Sequence, residues 1–107
     1  MFTINTRYGT VSDCVLTMDR YTDNNHIAVS IFSLSEGPYA RLTVNLPGVE
    51  SFPENFSFVD SNNFDQAEDV IDQLGIGKVT QWRTCSGFCT YALYEFDEDK
   101  IKEYMEE

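Results

Sequence analysis

Apolar and polar residues alternate through much of the first half of the chain. In residues 26–34, Ile27, Val29 and Ile31 fall on one side and Ser30 on the other, and β-branched residues dominate. That pattern predicts a strand with one buried face. Residues 11–21, where Val11, Val15 and Met18 alternate only roughly, predict the strand before it, and residues 39–46 the strand after. In that third run Tyr39, Arg41, Thr43 and Asn45 oppose Ala40, Leu42, Val44 and Leu46. Asp23-Asn24-Asn25 and Ser35-Glu36-Gly37-Pro38 separate the runs. Both are turn sequences, because Asx side chains bond to nearby backbone and glycine and proline set the φ values that turns need. Three strands joined by short turns make an antiparallel meander.

The period changes in the second half. Pro47-Gly48 ends the third strand, Pro53-Glu54-Asn55 marks a loop, and residues 56–60 form a short strand with Phe56 and Phe58 on one face. After Ser61-Asn62-Asn63, the positions Phe64, Ala67, Val70, Ile71 and Leu74 have helical spacing, and Gly75 follows as a C-terminal cap. A helix over 64–74 is expected. Residues 77–84 and 88–96 return to alternation around a Ser86-Gly87 turn, and Asp97 caps a last short helix with Ile101, Tyr104 and Met105 on one face. The expected fold is α+β: an antiparallel sheet of five or six strands with one or two helices packed on one face, in the order β-β-β-β-α-β-β-α.

Composition bounds the rest. The chain has 107 residues, of which 42% are hydrophobic and 14% aromatic, enough for a core and against disorder, so one domain over 1–107 is expected. Lys+Arg is 7 against 18 for Asp+Glu, a net charge of −11. A direct nucleic-acid binder needs a basic face for phosphates, and an anionic membrane repels this chain, so neither partner is expected. No apolar run approaches the ~20 residues of a membrane span. The N-terminal residues lack the basic-then-apolar order of a signal peptide, and a cytoplasmic location is the expectation.

The three cysteines, Cys14, Cys85 and Cys89, are an odd set with no two-residue redox spacing. With His26 they supply the donor types of a tetrahedral zinc site. The competing reading is three reduced thiols that pack as small apolar groups, and no metal or other cofactor is expected. A single histidine leaves little for triad chemistry. Gly75-Ile76-Gly77-Lys78 lacks the rest of a phosphate-binding loop and follows a helix instead of a strand, and no Gly-x-Ser-x-Gly elbow occurs. Asp97-Glu98-Asp99 and residues 60–65 are rich in oxygen ligands but lack the spacing of a calcium loop. No catalytic residue is expected.

The charge is uneven. Residues 1–49 hold four acids and three bases, whereas residues 50–107 hold fourteen acids and four bases. The clearest pattern is Asp65, Glu68, Asp69 and Asp72, which share one stripe of the expected helix opposite its apolar side. Like charges at these spacings cost about 0.2–0.5 kcal/mol per pair, only partly offset by the helix dipole near its N-terminus. No Lys or Arg occurs between Arg41 and Lys78 to neutralise them. Four helix residues rise about 6 Å, close to a phosphate spacing, and Asp65 to Asp72 covers about 10 Å. Duplex DNA carries about six charges over that length. The tail acids Glu95, Asp97, Glu98, Asp99, Glu103, Glu106 and Glu107, set against Lys100 and Lys102, add to the field. The plain alternative is that an acidic balance keeps a small protein soluble. The aromatic residues fall mostly on expected strands as core, with Trp82 beside Arg83 either a cation–π pair or an interface anchor.

Residues 39–46 (Tyr-Ala-Arg-Leu-Thr-Val-Asn-Leu), 58–63 (Phe-Val-Asp-Ser-Asn-Asn) and 86–96 (Ser-Gly-Phe-Cys-Thr-Tyr-Ala-Leu-Tyr-Glu-Phe) carry a resemblance. The chain resembles, over roughly residues 12 to 97, an uncharacterised family of small acidic proteins, a domain of unknown function carried by phages and conjugative elements. Ala92 stands where that family often has proline. The resemblance implies no catalytic residues. It implies a setting in which small acidic proteins inhibit host restriction or CRISPR nucleases by occupying their DNA-binding surfaces.

The expected function is therefore a non-enzymatic acidic binding protein, a DNA mimic that inhibits a host nucleic-acid enzyme. Its binding face would be Asp65, Glu68, Asp69, Asp72, Asp97, Glu98, Asp99 and Glu103, set against a basic nucleic-acid-binding surface. The alternative is a small accessory module of a mobile element, without inhibitory role, that forms a homodimer through a sheet edge or an aromatic patch.

Overall fold

The computed structural model describes residues 1–6 and 8–105. Arg7, Glu106 and Glu107, counted in the charge above, lie outside the described residues. Eight strands, a short 3-10 turn at Val49–Ser51 and two helices follow in chain order: β1 (Phe2–Thr6), β2 (Gly9–Arg20), β3 (Ile27–Ser33), β4 (Gly37–Arg41), β5 (Thr43–Val44), β6 (Phe56–Val59), α1 (Ala67–Leu74), β7 (Gly77–Ser86), β8 (Cys89–Phe96) and α2 (Glu98–Lys102). All strand pairs within the sheets are antiparallel.

The α+β character holds, but the expected single sheet of five or six strands is corrected. The described residues form two four-stranded sheets, ordered β1-β2-β3-β4 and β5-β6-β8-β7. The cause lies at Leu42, in the middle of the run read as one strand. There the chain leaves the first sheet for the second. The Leu42 N–H donates to Val29 O and its carbonyl accepts from Asp60 N–H, each at 2.9 Å. One residue is thus bonded to β3 of the first sheet and to the residue that directly follows β6 of the second. The Thr43 hydroxyl accepts the Val29 N–H at 3.1 Å, taking the place of a backbone carbonyl. The Leu42 N–H and carbonyl and the Val29 N–H are therefore all paired at the corner.

The main core fills the inner sides of both sheets. Ile27, Val29 and Ile31 of β3 meet Leu16 of β2, Ala92, Tyr94 and Phe96 of β8, the α1 face of Ala67, Val70, Ile71 and Leu74, and Ile101 of α2. Both helices pack on this one core. The outer face of the second sheet carries a smaller cluster, with Val49, Phe58, Tyr91 and Leu93 covered by Leu46, Phe52 and Phe56. β8 is therefore buried on both faces from Tyr91 to Tyr94.

Two boundaries differ from expectation. β1 adds a strand not read in the sequence, with Ile4 inward and Thr3 and Asn5 outward. The first helix begins at Ala67, not Phe64. Asp60 holds the preceding turn: its carboxylate accepts from Asn63 N at 3.2 Å and from Asn63 Nδ2 at 3.0 Å. An Asx turn of this kind competes with helix and delays its start. Gly75, at φ 68°, closes the helix in the left-handed conformation. No helix of the described residues is long and apolar enough to cross a membrane.

Candidate functional site

The later helix start breaks the four-carboxylate stripe. Asp65 sits in the turn before α1, so Glu68, Asp69 and Asp72 alone ride on the helix. Of these, Glu68 turns inward and its Oε1 accepts the Tyr94 O–H at 2.8 Å. Burial, with the Glu68 carboxylate second, raises the Tyr94 phenol far above its ordinary value of 10.0. Glu68 is thus a strut between α1 and β8. Asp69 and Asp72 face solvent, and no base stands in the last turn of the helix.

The C-terminal acids are mostly occupied within the fold. Asp97 is the N-cap of α2, its Oδ1 accepting from Lys100 N at 3.2 Å. Glu98 pairs with Arg20 Nη2 of β2, which also donates through Nη1 to Glu54 O at 3.3 Å. Glu103 lies 3.8 Å from Lys100 Nζ. Asp99 is exposed. A groove of ≈ 590 Å³ runs between the end of α1, the start of β7 and α2. It gathers Glu95, Asp97, Glu98 and Asp99, but also Lys78 and Lys102. Asp65, Glu68, Asp69 and Asp72 do not line it. Of the eight acids expected to make one face, Glu68, Asp69 and Asp72 ride on α1, Asp97, Glu98 and Asp99 line the groove, and Asp65 and Glu103 belong to neither group. Lys78 and Lys102 part-neutralise the groove.

The cysteine and histidine donors are not gathered. Cys14 is buried in β2, and burial, then Asp13, raises its thiol. Cys85 and Cys89 sit near the tip of the β7–β8 hairpin, exposed and half-buried. His26 is buried with Nδ1 2.8 Å from Phe56 O, so Nδ1 carries the proton and donates. Among the described residues no three His, Cys, Asp or Glu side chains are arranged to hold a metal ion.

Trp82 is the feature whose setting the sequence hid. β7 carries a bulge between Val79 and Arg83, where the register to β8 shifts. Thr80 Oγ1 donates to Leu93 O at 2.8 Å and accepts the Trp82 N–H at 3.1 Å. Arg83 turns its guanidinium to the bulge backbone, with Nη1 donating to Thr80 O at 2.6 Å and Trp82 O at 2.9 Å. The bulge, so locked, lays the half-exposed Trp82 ring on Phe52, with centroids 5.6 Å apart. Phe52 in turn stacks on Phe56 at 5.8 Å. A Trp-Arg pair on a strand was the only trace of this in the sequence, since Phe52 lies in a loop thirty positions earlier.

A family described as Domain of unknown function (DUF4313) matches residues 15–107. The chain belongs to the DUF4313 family. An uncharacterised family is what the sequence resemblance implied, and the match takes in both helices and the ring cluster of this DUF4313 chain. No curated protein and no solved structure matches it.

Proposed function

We propose that the chain is a non-enzymatic acidic binding protein that occupies a basic surface on a host nucleic-acid enzyme, such as a restriction or CRISPR nuclease, in the cytoplasm. The observation that supports this is the unneutralised outer side of α1. The Asp69 and Asp72 carboxylates have no hydrogen bond or ion pair among the described residues, both residues are exposed, and the segment from Leu42 to Gly77 has no base. A helix shaped for stability alone places Lys or Arg at such positions. The association would be charge-steered and salt-sensitive. Phosphate-for-phosphate mimicry is the weaker form of the reading. Asp69 and Asp72 span about 4.5 Å of helix, against about one charge per 1.7 Å on a duplex.

The mobile-element setting belongs to the same proposal, by resemblance alone. The accessory-module reading draws on one observation, the half-exposed Trp82 with the partly buried rings beneath it. The experiment that separates them is a binding and nuclease-inhibition assay against purified restriction and CRISPR nucleases of the host at two salt concentrations. Asp69→Lys with Asp72→Lys should abolish a salt-sensitive inhibition that the exposed control Asp19→Lys leaves intact. Equal behaviour of the two variants, or no inhibition of any nuclease, sinks the reading.

A further inference from the structure

We propose that the ring cluster of Phe52, Phe56 and Trp82 is a docking surface for a proline-rich protein segment that carries arginine or lysine. The inference stands apart from the acidic-helix reading. Three rings form the surface, Phe56 stacked on Phe52 with 23° between planes and Trp82 inclined to Phe52 at 64°. Pyrrolidine rings pack against exposed aromatic faces where proteins bind polyproline helices, and here the half-exposed Trp82 ring rests against the partly exposed Phe52.

The surface is built in advance. The Thr80 hydroxyl and the Arg83 guanidinium fix the bulge that carries Trp82, so docking orders little. The indole N–H of Trp82 has no partner among the described residues. A polyproline helix has no internal hydrogen bonds and offers free carbonyls to such a donor. The other common mode, addition of a strand to the β7 edge, meets the same bulge, which interrupts a regular ladder.

Charge selects the partner. Glu50 and Glu54 flank Phe52 and are both exposed. The chain as a whole carries −11, so a second copy or a nucleic acid is repelled, whereas a segment with Arg or Lys beside its prolines is attracted.

Trp82 is the single tryptophan of the chain, and its emission reports on the surface directly. The full chain would be titrated with a blocked oligoproline peptide ending in arginines, and with the same peptide ending in glutamates. A saturable change in Trp82 emission is expected with the first, and at least about a tenfold weaker response with the second. Phe52→Ala should weaken the arginine peptide roughly tenfold or more, as loss of an aromatic anchor does. Glu50→Gln with Glu54→Gln, which keeps an oxygen acceptor for the Gly48 N–H and Asn25 Nδ2 and removes only the charge, should weaken it severalfold. No saturable response, an equal response to the glutamate peptide, or indifference to both variants overturns the proposal. So does sedimentation showing that the chain self-associates through Trp82, which would make a second copy the occupant.

Discussion

Tyr94 of β8 and Glu68 of α1 are joined by a 2.8 Å hydrogen bond from phenol to carboxylate, across 26 positions of sequence. The bond pins the helix to the second sheet and takes one carboxylate out of the acidic set. Tyr94→Phe should lower stability by about 1.5–3 kcal/mol, the range for a hydrogen bond to a charged group. Urea unfolding would show a lower midpoint at unchanged slope.

The same pair sets a pH dependence. Burial and Glu68 hold the Tyr94 phenol above its ordinary 10.0, so the folded chain keeps a proton that the unfolded chain gives up. Stability from this source is complete below about pH 10 and falls as pH rises beyond it. Thermal melts at pH 9 and pH 11 (to about half a unit either way) should differ more for the native chain than for Tyr94→Phe.

Leu42 is fully buried at the corner between the sheets. Leu42→Ala should cost about 2–5 kcal/mol, because the cavity opens where the chain cannot relax without breaking its bonds to Val29 and Asp60. Amide hydrogen exchange should show faster exchange at Val29 and Asp60 as well as at position 42.

Asp97 caps the shorter helix. Asp97→Ala should cost about 1 kcal/mol, while Asp97→Asn, which keeps the acceptor, should cost much less. A large loss from the asparagine variant would show that charge, and not capping, is what the position supplies.

The thiols should react in order of exposure. An aromatic disulfide reagent should modify Cys85 first and Cys89 more slowly, with Cys14 reacting only on unfolding, since its thiol is buried and raised. Prompt reaction of all three in the native chain would contradict this placement.

The local elements were legible because local patterns write them. Ile27, Val29 and Ile31 alternate with period two and are all buried. Ala67, Val70, Ile71 and Leu74 repeat at helical spacing and all face the core, with Gly75 closing the helix. Asp97 read as a cap and is one. What the sequence could not decide was where the second sheet begins, because residues 39–46 alternate without a break. The corner at Leu42 is made by bonds to Val29 and Asp60, partners thirteen and eighteen positions away. The acids were legible as charge, not as a surface. Spacing placed Glu68 beside Asp72, but Tyr94 and Arg20, brought in by the fold, draw Glu68 and Glu98 into structural bonds and leave Asp69 and Asp72 outside. Composition and periodicity determine which residues seek the core and which seek water. Which partner each polar group finds depends on contacts across distant elements, and only the tertiary structure decides those.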